Sequence, residues 1–183
     1  MRTIDTEIPE VKRVITTRFG DDRGWFAETF RVDALAKGGI DDVFVQDNQS
    51  FSASAGTIRG LHFQTPPAAQ GKLVRVLSGS ILDVAVDLRR DSPTFGRHVA
   101  VRLDATEGEQ LFVPVGFAHG FCTLEPNTTV AYKVTAYYSR ENDRNMLWND
   151  PDLAIAWPVD EANAVLSDKD KIAPRFADLG AAF

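Results

Sequence analysis

A chain of 183 residues with 44% hydrophobic and 25% charged residues can bury a core without disulfide staples. Its net charge of -6 argues against a general nucleic-acid surface, so an anionic ligand needs a local cluster of Arg and Lys. The single Cys122 has no internal partner and sits in an apolar run as a small hydrophobe, and no stretch is long and apolar enough for a membrane span or a secretory signal.

The expectation is therefore one cytoplasmic domain over residues 1–183, with an N-terminal arm at about 1–20 and an irregular C-terminal segment from about 145. The arm holds a short strand near residues 11–16. Asp22-Arg23-Gly24 carries turn chemistry, and 25–30 follows as an apolar strand with Glu28 inside it, either at a solvated edge or aimed at a donor. The pattern predicts a short helix over 32–37, stopped by Gly38-Gly39. Residues 43–51 read as a strand with Gln46, Asn48 and Ser50 on one face, toward water or toward a polar pocket.

The stretch 57–72 concentrates Arg59, His62, Gln64, Gln70 and Lys72 among strand-like apolar residues. Strict alternation puts His62 with Ile58, Gly60 and Gln64, and Arg59 with Leu61 and Phe63. Gly60 is where a bulge could bring Arg59 round to the His62 side. Residues 72–77 and 81–88 predict a hairpin turning at 78–80, with Leu82, Val84, Val86 and Leu88 on one face and Asp83 and Asp87 on the other. A loop over 90–96, a strand over 99–103 and a charged turn over 104–109 follow. Residues 110–124 read as a strand, a Pro-x-Gly turn and a second strand carrying His119. Over 128–138 the alternation places Tyr132 with Val130 and Val134, looking inward, where its hydroxyl needs a partner. The tail is aromatic and irregular around Trp148 and Trp157, followed by Leu166-Ser167-Asp168-Lys169-Asp170 and a short helix. Many short strands with Gly and Pro turns predict an all-β sandwich or jelly roll with short helices at its periphery.

Few kinds of chemistry suit these residues. Pro114-x-Gly116-x-x-His119 resembles the second motif of the metal-holding cupins, but His62-Phe63-Gln64 lacks the second ligand that the first motif needs, so no metal is expected. No Gly-x-Ser-x-Gly or phosphate-binding Gly loop is present. Acid–base work by a His and a Tyr remains, with Lys and Arg to hold an anion. Taken singly, Arg23 could be a solvated turn residue, Lys72 a surface charge and Asp170 a helix cap.

In order and spacing, however, Asp21-Asp22-Arg23-Gly24, Gln46-Asp47-Asn48, Arg59-Gly60-Leu61-His62-Phe63-Gln64, Gln70-Gly71-Lys72-Leu73-Val74-Arg75, Asp83 to Leu88, Ser92 to Gly96, Gly116 to Phe121, Tyr132-Lys133, Trp148-Asn149-Asp150 and Leu166 to Asp170 form a pattern over nearly the whole chain. With it the chain resembles the dTDP-4-dehydrorhamnose 3,5-epimerases, cupin-fold enzymes of the rhamnose-nucleotide pathway. The resemblance implies a cupin-type jelly-roll β-sandwich, a dTDP-linked 4-keto-6-deoxy sugar as substrate, epimerisation at C3 and C5, and neither metal nor organic cofactor. It makes His62 the base, oriented by Asp170, Tyr132 the acid, and Lys72 the group beside the C4 oxygen. It sets Arg23, Arg59 and Lys169 near the diphosphate, Glu28, Gln46 and Asn48 on the nucleotide, Tyr138 on the thymine, and His119 along the site. Asp143 stands where a Glu is expected, which weakens a binding role there. A homodimer that exchanges N-terminal strands is implied, with some residues serving the neighbouring site, and no nucleic-acid or membrane partner. A relative that inverts only C3 or only C5 would carry the same motifs.

Overall fold

The computed structural model describes residues 1–180 and 182–183. In chain order the strands and helices are β1 (Arg2–Asp5), β2 (Lys12–Ile15), β3 (Arg18–Asp21), β4 (Gly24–Ala27), α1 (Val32–Lys37), β5 (Gln46–Ser52), β6 (Ile58–Gln64), β7 (Lys72–Ser78) and β8 (Ser80–Asp87). They continue with β9 (His98–Asp104), β10 (Gln110–Val113), β11 (Phe117–Thr123), β12 (Thr128–Val134), β13 (Asp143–Asn145), α2 (Asp168–Lys171) and a 3-10 turn (Phe176–Asp178). A six-stranded sheet runs β1-β2-β10-β7-β12-β5, and a five-stranded sheet runs β13-β6-β11-β8-β9. The pairings between these strands are all antiparallel, an isolated parallel bridge joins Thr57 to Val165, and β3 with β4 forms a separate ribbon.

The core lies between the two sheets. Val74, Val76, Leu111, Val113 and Val130 from one meet Ile81, Ala85, Val99, Leu103, Phe117 and Phe121 from the other, all buried. Alternation carries this face because successive strand side chains point to opposite sides. The outer face of the five-stranded sheet is also apolar, and the C-terminal segment covers it. Val84, Val86, Leu88 and Ala118 pack under Met146 and Leu153, flanked by Ile155, Trp157 and Phe176. Trp157 Nε1 donates to the Trp148 carbonyl at 2.7 Å, so the indole polar edge is satisfied as it packs. The helix α1 buries Leu35 with Ile40 against Val14, Leu73 and Phe112 on the outside of the other sheet. The architecture is the antiparallel two-sheet jelly roll that the alternation predicts.

Two local expectations need correction. Residues 72–77 and 81–88 do not form a hairpin: β7 pairs with β10 and β12, while β8 pairs with β9 and β11. Only Gly79 separates the two strands, fewer than the two residues a tight hairpin loop needs. With φ at +79° it turns the chain from one sheet into the other. An added Cβ there would meet Thr128 Oγ1 at 2.3 Å. The strand expected over 25–30 stops at Ala27, so Glu28 lies beyond it, exposed and 3.5 Å from Arg31. Cys122 is buried, and burial pushes its thiol up to about 11, as suits a small hydrophobe.

Candidate active site

Two cavities adjoin within the sandwich and share His62, Lys72 and Tyr132. The larger, ≈ 440 Å³, is lined by Ser50, Arg59, His119, Phe121 and Asp170 as well, and Leu166 and Ser167 of the C-terminal segment border it. The smaller, ≈ 260 Å³, takes in Gln46, Asn48, Gln70, Tyr138, Asp143 and Lys169. Polar side chains inside a jelly roll otherwise filled with Val, Leu and Phe carry a desolvation cost, and a cluster of them around a cavity marks a candidate site.

The expected irregularity at Gly60 brings two of them together. His62 pairs with His119 and Arg59 with Phe121, so three steps along β6 match two along β11. That extra residue is a bulge, and it turns Arg59 to the same side as His62. Gly60 has φ at +150°, and a Cβ there would lie 2.5 Å from the Gly120 Cα. Arg59 is then held by Ser52 Oγ at 3.2 Å and the Phe51 carbonyl at 2.9 Å.

His62 Nε2 lies 2.6 Å from Asp170 Oδ1. Asp170 is 2% exposed and reaches this place because Ser167 caps α2, accepting from the Asp170 backbone N–H at 3.2 Å. Burial acts to raise the Asp170 carboxyl, but the facing His62 ring outweighs it and holds the group below the usual carboxylate range. An ionised Asp170 needs a donor, so Nε2 carries the hydrogen and Nδ1 keeps the lone pair. Lys72 is 8% exposed and donates from Nζ to the His62 carbonyl at 3.3 Å. Burial lowers its ammonium to about 8, against the opposing charges of Asp83 and Asp143. Burial pushes the Tyr132 phenol up, against Arg59, so the hydroxyl keeps its proton. His119 Nε2 lies 2.7 Å from Asp83 Oδ1. Burial lowers the His119 imidazole despite that carboxylate.

In the smaller cavity Gln46 Nε2 donates to Asn48 Oδ1 at 2.8 Å, and Lys169 Nζ pairs with Asp143 Oδ2 at 2.5 Å. The Tyr138 hydroxyl reaches the same carboxylate at 3.4 Å, and 61% of Tyr138 remains exposed. Arg23 and Glu28 are not brought to these cavities by their own chain. Arg23 sits at the turn of the exposed β3–β4 ribbon, bonded to Asp21. Ser50, Phe121 and Ser167 line the larger cavity without having been singled out as site residues, and Asp83 was noted for its strand face and within the pattern block Asp83 to Leu88, with no role given to it. The readable hint was an Asp amid the apolar alternation of β8. Among the described residues no three His, Cys, Asp or Glu side chains converge as a metal site, and no helix is long and apolar enough to cross a membrane.

A jelly roll enclosing a carboxylate-bonded imidazole, a protonated phenol and a buried ammonium defines a cupin-type acid–base enzyme. The family model for dTDP-4-dehydrorhamnose 3,5-epimerase matches residues 5–178. A curated relative of that name from Sinorhizobium fredii is 51% identical over 176 residues, 96% of this chain and 90% of the relative. The crystal structure of the Bacillus anthracis enzyme with TDP and PPi bound superposes with TM-score 0.91 at 53% identity, covering 94% of this chain and 98% of that one. A Legionella pneumophila dTDP-6-deoxy-D-glucose-3,5-epimerase in complex with dTDP-4-keto-L-rhamnose gives TM-score 0.93 at 44% identity, covering 98% and 94%. The chain belongs to the dTDP-4-dehydrorhamnose 3,5-epimerase family. It is an isomerase of dTDP-rhamnose biosynthesis.

Proposed function

We propose that the chain inverts C3 and C5 of dTDP-4-keto-6-deoxy-D-glucose to give dTDP-4-keto-L-rhamnose, by acid–base chemistry of its own side chains. The observation that carries this reading is the His62–Asp170 bond of 2.6 Å in a cavity shared with Tyr132 and Lys72. A proton next to a ketone becomes removable when the developing enolate is stabilised. The lone pair at His62 Nδ1 takes that proton, and the Lys72 ammonium faces the charge that grows on the C4 oxygen. Tyr132, still protonated, returns a proton from the other side of the sugar. Each inversion is one removal and one return; between the two, His62 releases its proton to solvent and Tyr132 regains one from solvent, which restores both groups for the second carbon. The dTDP-4-keto-L-rhamnose held by the Legionella relative supports the substrate class. Arg59 and Lys169 supply the local positive charge a diphosphate needs in an acidic chain. Gln46, Asn48, Tyr138 and Asp143 line the nucleotide end, Tyr138 with its exposed ring for stacking, and His119 lines the sugar end.

The active unit is a homodimer that exchanges N-terminal strands, with Arg23 and Glu28 reaching the neighbouring site. Supporting this, the ribbon that carries Arg23 exposes Phe19, Trp25 and Phe26 at 60%, 59% and 66%. Three large apolar side chains on one two-stranded ribbon are unusual for a free surface.

The test is NMR of dTDP-4-keto-6-deoxyglucose with the protein in deuterated water. Deuterium at both C3 and C5, with both centres inverted in product trapped by a following reductase, is the expected result. Label at one carbon only would make it a single-centre epimerase. His62→Ala should abolish exchange while dTDP affinity stays within about threefold, and near-normal turnover would remove the base assignment.

A further inference from the structure

We propose that Asp83 is a positioning residue for this reaction: one carboxylate oxygen fixes the His119 tautomer, and the other is the buried counter-charge that keeps Lys72 protonated. The proposal rests on the reading of Lys72 as the group facing the C4 oxygen.

Asp83 lies in the middle of β8 and is 0% exposed. Its Oδ1 is 2.7 Å from His119 Nε2, while its Oδ2 is buried with no hydrogen-bond partner among the described residues. Asp87, four residues along the same strand face and equally buried, shows what a structural carboxylate does there. Its oxygens accept from Arg89 Nε and Nη2, from Ser92 Oγ and from Thr94 Oγ1 at 2.6–2.9 Å. A buried carboxylate oxygen left open is costly, and native proteins rarely carry one without a functional reason.

Lys72 supplies the reason. Its ammonium has three donors, and one bond, to the His62 carbonyl, is formed. In the larger cavity it faces Arg59 and His62 on β6, His119 on β11, Tyr132 on β12 and Asp170 on α2. In the smaller one it faces Asp143 on β13 and Lys169 on α2. Asp170 is bonded to His62 and Asp143 to Lys169. Arg59 and Lys169 carry the same sign as Lys72 and oppose its protonation. Each of these carboxylates uses one oxygen; Asp83 differs in that its other oxygen is fully buried without a partner among the described residues, and its charge acts on Lys72 ahead of that of Asp143. At the other oxygen, a neutral His119 must donate Nε2–H to Asp83, which leaves Nδ1 an acceptor toward the cavity.

Asp83→Asn keeps the size and an oxygen for His119 Nε2–H but removes the charge. With the Lys72 ammonium lowered to about 8 by burial, kcat of the unmodified protein should fall on the alkaline side, and in Asp83→Asn that limb should move down by about one pH unit. KM should stay put, and the rate should recover toward the unmodified value at about pH 6. A uniform loss of kcat at every pH would overturn the proposal in favour of a purely structural role. A second readout needs no turnover: nitrogen-15 NMR of lysine-labelled protein, with Lys72 assigned through Lys72→Arg. Its titration midpoint should fall in Asp83→Asn, and an unchanged midpoint would overturn the proposal even if the epimerase chemistry stands. Absence of any epimerisation by the unmodified protein would instead overturn the function while leaving this titration as the test of Asp83. Should Asp83→Asn not fold, the carbon-13 carboxyl resonance of Asp83 in the unmodified protein should show an inflection at the Lys72 midpoint, and a flat trace there would overturn it.

Discussion

Among the described residues Tyr132 is the one phenol that lines both cavities, and the acid role proposed for it depends on staying protonated. Burial raises its pKa and Arg59 only partly opposes this, so the hydroxyl is a donor across the neutral range. Tyr132→Phe removes the donor while keeping the ring that packs beside Val74 and Val130. Proton removal by His62 should survive, so deuterium should still enter recovered substrate, while inverted product forms about 10²–10⁴-fold more slowly. Epimerisation at the unmodified rate would remove the acid role. At this scale the sequence was informative where residue type and order coincide: His62, Lys72, Tyr132 and Asp170 stand together in the cavity as the family pattern implied. Asp83 was less readable. Alternation assigned it to one strand face, but whether that face is dry depends on the second sheet above it, which no local pattern records.

The strands β6 and β11 hold the two histidines opposite each other, and the contact between Gly60 and Gly120 sets their spacing. A Cβ on Gly60 would lie 2.5 Å from Gly120 Cα and 3.2 Å from the His119 carbonyl, and a Cβ on Gly120 2.9 Å from the Arg59 carbonyl. These are backbone atoms and cannot swing aside. Gly60→Ala also imposes a side chain at φ +150°. It should cost about 2 kcal/mol or more of stability in denaturant titration. Because the forced separation falls between Arg59 and His62, kcat should drop further than Tm predicts. A variant with unmoved midpoint and activity would show that the close approach is not required. Here Gly within a strand pattern gave a usable hint, since a bulge was the physical reason for it. The turn at Gly79 gave a false one. Apolar alternation on both sides of a Ser-Gly-Ser run reads the same for a hairpin as for a chain crossing between sheets. The difference lies in which strands β7 and β8 find as partners, and those come from residues 98–104, 110–113, 117–123 and 128–134, further along the chain.

For the whole molecule the open question is whose site Arg23 serves. In its own chain it lies at an exposed turn, away from both cavities, on a ribbon whose Phe19, Trp25 and Phe26 face outward. The outer face of the six-stranded sheet is likewise unfinished: a groove of ≈ 270 Å³ there is lined by Phe30, Arg75, Leu77 and Lys133. If two copies exchange their N-terminal strands, each complete site takes His62 from one chain and Arg23 from the other. Complementation tests that arrangement directly, because a twofold dimer pairs the same surfaces on both chains. Arg23→Ala and His62→Ala homodimers should each be impaired, the first mainly in KM and the second in kcat. A purified heterodimer of the two variants then holds one site with His62 and the partner's intact Arg23, and one site lacking both groups. It should run at about half the unmodified rate. If Arg23 acts within its own chain, each site of the heterodimer keeps one defect, and the mixture should be no better than the average of the two parents. A monomeric species on sedimentation at micromolar concentration with full activity would exclude exchange altogether and return Arg23 to the role of a solvated turn residue.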